Sequence, residues 1–148
     1  MNKLNKLFLL LALSGLFLMS SCKKKDEPKP AKEVIAISWK VSQVKEDGIV
    51  VYSSSATTNT SNYSKFNLAF TATDVTLLEF DGTKFTGKWS LSSTNTVLDL
   101  TGLTPTPTDG ASIQYTGVIV SEKELKITRV GKNSKTGKSN VEYTLIPQ

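Results

Sequence analysis

The side chains of this chain best suited to chemistry are one thiol, Cys22, and four acids, Glu79, Asp81, Asp99 and Asp109. There is no histidine and no second cysteine. That removes the commonest zinc, haem and iron–sulfur ligands, Ser-His-Asp and Cys-His catalysis, and any internal disulfide. Carboxylates alone can run acid–base chemistry, but a glycosidase needs two of them flanking a cleft, roughly 5 to 9 Å apart. Glu79 and Asp81 share the parity of one strand and sit beside an Asp81-Gly82 turn, where acids serve solubility. No pair is set across a cleft, so the sequence predicts no enzyme and no metal or other cofactor. Gly131-Lys-Asn-Ser-Lys-Thr-Gly137-Lys138-Ser139 has one residue too many between its glycines for a phosphate-binding loop, and a strand follows where a helix is required. It reads as a solvated hairpin tip. Arg129, Lys132, Lys135 and Lys138 then form either its solvated charge or a basic rim.

The thiol has a more telling setting. Lys3 and Lys6 precede an apolar run from Leu7 to Met19, and Ser20-Ser21 leads into Cys22. This is a secretory signal, with a run shorter than the roughly 20 residues that span a bilayer. The small residues before the cysteine resemble a lipobox, with Met19 where Leu, Val or Ile is usual. A lone cysteine in a secreted chain has no disulfide partner, and lipidation gives it a role. One acyl chain holds a protein only marginally, so the several chains of such lipoproteins make the anchor permanent. Residues 1–21 are read as signal peptide and 22–33 as lipidated cysteine plus tether. The domain follows at 34–148. Lys23 to Glu33 carries Pro28 and Pro30 among charges and reads as extended chain reaching roughly 34 Å. Lys25-Asp26-Glu27 is either a surface-export signal or a solvated charge run. The expected location is the outer membrane, through the lipid anchor, with the face undecided.

Positioning falls to what comes after the tether. The net charge of +5 belongs largely to the signal and tether, because residues 34–148 carry eleven basic against ten acidic side chains. Nucleic acid is therefore not an expected partner. From Ile35 onward the apolar period is two, and turn residues interrupt it often. Ile35, Ile37, Trp39 and Val41 share a face, Glu46-Asp47-Gly48 turns into Ile49 to Tyr52, and Ser53 to Asn62 reads as a surface loop. Strands follow at 66–72, 76–80, 84–91 and 97–100, then a proline-containing loop from Gly102 to Gly110, then strands at 113–120, 125–130 and 141–146. The fold class is all-β, about eight antiparallel strands in an up-and-down barrel, since closure removes the edges an open meander leaves.

Ile37-Ser38-Trp39 after a tether, Gly87-Lys88-Trp89, the meander and the lipobox together resemble the small lipocalin-like lipoproteins of Gram-negative bacteria. Ile37 stands where that family has glycine, the chain is shorter, and no C-terminal helix is read. The resemblance implies a water-soluble barrel that binds a small apolar ligand. An outer-membrane barrel shares the alternation; the lipobox, the large inward aromatics and the Ile146-Pro147-Gln148 terminus argue against it. Trp39, Phe66, Phe70, Phe85, Trp89, Tyr115, Ile127 and Tyr143 should face inward. Gly87 and Gly117, on the same parity, either leave space or relieve curvature. The candidate ligand-binding residues are Trp39, Phe66, Phe85, Gly87, Trp89, Tyr115 and Gly117. The rival expectation is a filled barrel acting as scaffold or adhesion module toward an envelope protein, with its specificity in the two long loops.

Replacing the anchor residue, Cys22→Ser, should release the protein from membranes or trap its uncleaved precursor. A variant that matures and sediments with membranes as the wild type does contradicts the lipoprotein reading.

Overall fold

The computed structural model describes residues 28–148. The signal segment, Cys22 and Lys25-Asp26-Glu27 lie outside the described residues. A short helix, α1 (Ala31–Ile35), precedes nine strands: β1 (Ser38–Glu46), β2 (Ile49–Ser53), β3 (Asn67–Phe70), β4 (Asp74–Leu78), β5 (Lys84–Leu91), β6 (Val97–Thr104), β7 (Ile113–Val120), β8 (Leu125–Arg129) and β9 (Val141–Pro147). Ala31 to Glu33, read from sequence as the end of the tether, are the first part of α1.

Each strand from β3 to β9 pairs antiparallel with the next, and β9 pairs with β1 along almost its whole length, from Trp39↔Pro147 to Glu46↔Val141. The result is a closed eight-stranded antiparallel barrel with β2 as an extra strand. The other edge of β1 is shared. Its first part takes β3, with Lys40 opposite Asn67, and its second part takes β2, with Gln43 opposite Ser53. The chain between β2 and β3 is thus an excursion from one broken strand position. It also covers the outer edge of β2, where Thr60 and Ser61 donate backbone N–H groups to the Val51 carbonyl, both at 3.1 Å. Asn59 completes the cover by hydrogen bonding both Ser53 N–H and Ser53 C=O. An exposed edge that could recruit another strand is blunted in this way.

The eight side chains expected to face inward are all buried. Alternation fails in three strands, each time at a bulge; in β6 the buried parity moves from Leu98 and Leu100 to Leu103 around Gly102 at φ +60°, where the register against β5 shifts between Thr86 and Lys88. In β1 the buried parity moves from Trp39 and Val41 to Val44 and Glu46, where the register against β9 shifts between Val41 and Gln43. In β7 the shift falls between Thr116 and Ile119, around Gly117 at φ +61°. One extra residue reverses every side chain after it. Val118 is therefore buried and Ile119, expected inward, is 63% exposed. Gly117 lies exposed in the outer wall. Gly87 has a different reason. A β carbon there would sit 2.5 Å from the Thr101 carbonyl oxygen and 3.1 Å from Leu103 Cδ2, so the backbone of β6 and the buried Leu103 occupy the space that glycine frees. A larger side chain at this position collides with main chain, which cannot give way as a rotamer can.

The two ends of the barrel differ. At one, α1 packs against β7 and the buried Ile35 accepts, through its carbonyl, the Trp39 indole N–H at 2.9 Å. Trp89 donates its indole N–H to the Thr71 carbonyl, also at 2.9 Å, and meets Phe70 edge to face. Lys32 lies 5.8 Å from the centre of the Trp89 ring. At the other end the strands run into loops: the β2–β3 excursion, the segment between β6 and β7, and the tip between β8 and β9.

Candidate functional site

Strand parity carries two charged side chains into the loop-covered end. Val75 and Leu77 on β4 are buried, and Glu79, two residues on, keeps their face as the chain turns through Gly82 N–H to Glu79 C=O and Glu79 N–H to Thr83 C=O, both 2.9 Å. Leu125 and Ile127 on β8 are buried, and Arg129 follows on the same face. Arg129 is 4% exposed and Glu79 2%. The Arg129 guanidinium donates from Nη1 to Glu79 Oε1 at 3.2 Å and from Nη2 to Asp109 Oδ2 at 2.6 Å. Asp109, on the segment between β6 and β7, also accepts the Ser134 backbone N–H on both oxygens at 3.2 Å. One arginine thus holds two acids and, through Asp109, ties two loops over the barrel end.

Around this pair stand three phenols. Tyr115 lies opposite Arg129 in the β7–β8 ladder, and Tyr143 opposite Ile127 in the β8–β9 ladder. Tyr143 stacks on Phe66 at 4.4 Å and meets Tyr115 and Tyr63 edge to face. Tyr63 comes from the excursion, is fully buried, and donates its hydroxyl to Glu46 Oε1 at 2.7 Å. Asn133, from the tip, is 1% exposed; its Oδ1 accepts the Lys135 N–H at 3.0 Å. Ion pairs fasten the tip further, Lys135 to Asp81 at 2.6 Å and Lys138 to Asp47 at 2.9 Å.

Among the described residues, four buried side-chain atoms have no hydrogen-bond partner: Glu79 Oε2, Tyr115 OH, Tyr143 OH and Asn133 Nδ2. All four belong to this one cluster. Leaving a buried polar atom unpaired costs about 1–3 kcal/mol; Asn133 and Arg129 lie near enough to the Tyr143 hydroxyl to favour its ionised form by hydrogen bonding, against the opposing effect of burial. Burial pushes the Glu79 carboxyl upward in pKa, against the opposing pull of Arg129 and Lys135. Burial also raises Tyr63, Tyr115 and Tyr143 well above the ordinary tyrosine range, so the phenols stay protonated and can donate. For Arg129, burial disfavours the charge, and Tyr115, Glu79, Tyr143 and Asp109 more than offset it. The exposed Asp81, by contrast, is held down at about 2 by its hydrogen bonds from Lys135 and the Thr83 backbone.

The seven residues singled out from sequence do not form one site. Trp39 and Trp89 lie at the helix-capped end with both indoles already bonded. Phe66 and Tyr115 join the polar cluster through Tyr143, and Phe85 lies under the tip, 5.6 Å from Lys135 Nζ to its ring centre. Gly87 sits against β6, and Gly117 lines an outer groove of about 350 Å³ with Gln43, Lys45, Ile119 and Lys126. Arg129 belongs to the interior and not to a basic rim. Glu79 and Asp81 part company, one buried on Arg129 and the other exposed on Lys135. Among the described residues, no group of three or more acids or cysteines is placed to hold a metal ion.

A lipocalin-like protein of Bacteroides uniformis ATCC 8492 has a similar structure, with a TM-score of 0.50 and 15% identity over 78% of this chain and 99% of that one. The fold is lipocalin-like. An uncharacterized protein of Bacteroides eggerthii DSM 20697 aligns with a TM-score of 0.47 and 13% identity, over 76% of this chain and 98% of that one. No family model matches the sequence, and no curated protein matches it.

The buried carboxyl makes stability depend on pH with a defined sign. The folded state holds the Glu79 proton more tightly than the unfolded chain does, so stability falls as pH rises above the ordinary value of 4.5 toward the raised one. Each tenfold weakening of its acidity on folding corresponds to about 1.4 kcal/mol. Urea midpoints between pH 4 and 7.5 should decline for the wild type and decline less for Glu79→Gln. Equal slopes for the two proteins contradict this account.

Proposed function

We propose that this chain is a lipid-anchored, non-enzymatic protein of the outer membrane whose barrel binds a small apolar or amphipathic molecule. The observation that carries the binding reading is the cluster of four unpartnered polar atoms at the loop-covered barrel end, beside the Arg129–Glu79 pair and the Phe66, Tyr115 and Tyr143 rings. Small-molecule sites have this composition: apolar walls with a few convergent polar groups that fix orientation. Phe66, Tyr115 and Tyr143 supply aromatic wall, and Glu79 and Asn133 supply handles. The ligand reading thus moves from the two tryptophans to the opposite end, under the tip and the Asp109 segment. Anchoring is supported by the apolar run and Ser20-Ser21-Cys22, and the resemblance to lipocalin-like lipoproteins agrees with both halves of the reading.

A second reading has its own support. Around Trp39 and Trp89 the indoles are satisfied and Gly87 frees no room, as expected of a filled barrel acting as scaffold or adhesion module toward an envelope protein.

Residues 23–148 contain every partner in the barrel ladders and can be made without the anchor. Native mass spectrometry of this chain, purified without detergent, should show one small-molecule adduct per barrel that organic solvent removes. Absence of any adduct, together with no gain in melting temperature from fatty acids, sterols or aromatic probes, would leave the scaffold reading in its place.

A further inference from the structure

The segment that sequence assigns to the tether is shorter than it reads, because Ala31 to Glu33 belong to α1 and α1 lies across one end of the barrel. Ile35 is fully buried, and its carbonyl accepts the Trp39 indole N–H of β1 at 2.9 Å. Lys32 lies over the Trp89 ring of β5, and Lys29 pairs at 2.8 Å with Glu122 in the turn between β7 and β8. The Lys29 pair is exposed and adds little; the buried Ile35 and the indole bond hold the helix down. The chain is therefore fixed to the barrel from Pro30 onward, whose carbonyl accepts the Glu33 and Val34 N–H groups.

Bond geometry then limits how far the barrel can stand from Cys22. The eight links from Cys22 to Pro30, at about 3.4 Å each, span at most roughly 27 Å. Reaching even that distance confines every link to one extended conformation, which costs entropy at each residue. The barrel is taller. The 9 residues of β1 at about 3.3 Å each, tilted by roughly 40°, rise about 23 Å. Half the width of α1 adds about 5 Å at one end, before the loops of the other end are counted. Turning the loop-covered end onto a bilayer would lift Pro30 farther from the surface than an acylated Cys22 allows.

Charge does not supply the same preference. Around α1 and the turn between β7 and β8, Lys29, Lys32 and Lys123 stand beside Glu33, Glu122 and Glu124. An end so balanced gains little from anionic head groups.

We propose that the helix-capped end of the barrel faces the bilayer and the loop-covered end faces away from it, an orientation imposed by the short reach between Cys22 and α1. This rests on the lipid-anchored part of the proposed function and specifies which surface meets lipid. The Arg129–Glu79 cluster then opens toward the aqueous compartment, so whatever reaches it comes from water or from a facing protein and not directly from the anchoring membrane.

The test uses the mature lipidated protein in vesicles of phosphatidylethanolamine and phosphatidylglycerol that contain a rhodamine lipid. The only native cysteine is the one that carries the anchor, so a cysteine added elsewhere takes a donor dye alone. Ser93→Cys and Lys123→Cys place the dye at the helix-capped end, and Lys132→Cys places it at the loop-covered end, all at exposed positions. Energy transfer to the lipid should be roughly twofold or more stronger from the first two than from the third. Inserting twenty Gly and Ser residues after Glu27 makes the tether longer than the barrel is tall and should bring the three values together. Equal or reversed transfer in the uninserted protein overturns the orientation while the anchor stands, and a difference that survives the insertion overturns reach as its cause. If the wild type does not float with the vesicles, the anchoring reading fails and the orientation with it. Thr108→Cys repeats the comparison should Lys132→Cys fail to fold.

Discussion

Everything in this fold depends on β1 having both of its edges satisfied. One edge takes β9 along nearly its whole length and so closes the barrel; the other is divided between β3 and β2. Without that closure β9 and β3 would each present an open ladder, which is a template for aggregation. The division of the second edge has a consequence for the site. Because β2 and β3 share one strand position, the chain between them must leave the wall and return, and on the way it delivers Tyr63 and Phe66 into the loop-covered end. Closure therefore determines not only the barrel but also which residues cap it.

The two ends show two ways of finishing a barrel. At the helix-capped end, polar atoms brought inside by the indoles find backbone carbonyls at once, at Ile35 and Thr71. At the loop-covered end, two acids (Glu46 and Glu79), one arginine, three phenols and an asparagine are buried together, and the loops over them are fastened by Asp109 to Arg129 and Ser134, Lys135 to Asp81, and Lys138 to Asp47. An ion pair this deep is not there for stability alone, since well-packed apolar residues would often do as well. Here the pair sets the position of loops and leaves one carboxylate oxygen, two hydroxyls and one amide nitrogen without partners.

Alternation made most of this legible from sequence. The inward aromatics from Trp39 to Tyr143 follow from a period of two, as does the barrel, because short strands joined to their neighbours leave few other closures. What alternation could not supply falls into three kinds. Bulges at Ser42, Gly102 and Gly117 insert a residue and reverse the phase, so Leu103 joins Leu98 and Leu100 in the interior and Val118 replaces Ile119 there. Parity did put Glu79 with Leu77 and Arg129 with Ile127; charge argued for the surface, and a pairing across 50 residues of sequence is invisible without the fold. Tyr63 and Asn133 lie in stretches rich in Ser, Thr, Asn, Gly and Lys, where no periodic face exists and burial comes only from tertiary packing. The short α1 was likewise unreadable, since Ala31 to Ile35 is too brief for a helical period to show.

The account stands on a small molecule completing the four unpaired atoms at the loop-covered end. The most direct measurement is the electron density of crystals grown from chain purified without detergent, read around Glu79 Oε2, Tyr115 OH, Tyr143 OH and Asn133 Nδ2. The account predicts continuous density larger than a water there. Density for a lone water, or a rearrangement in which the four groups pair with one another, would contradict it.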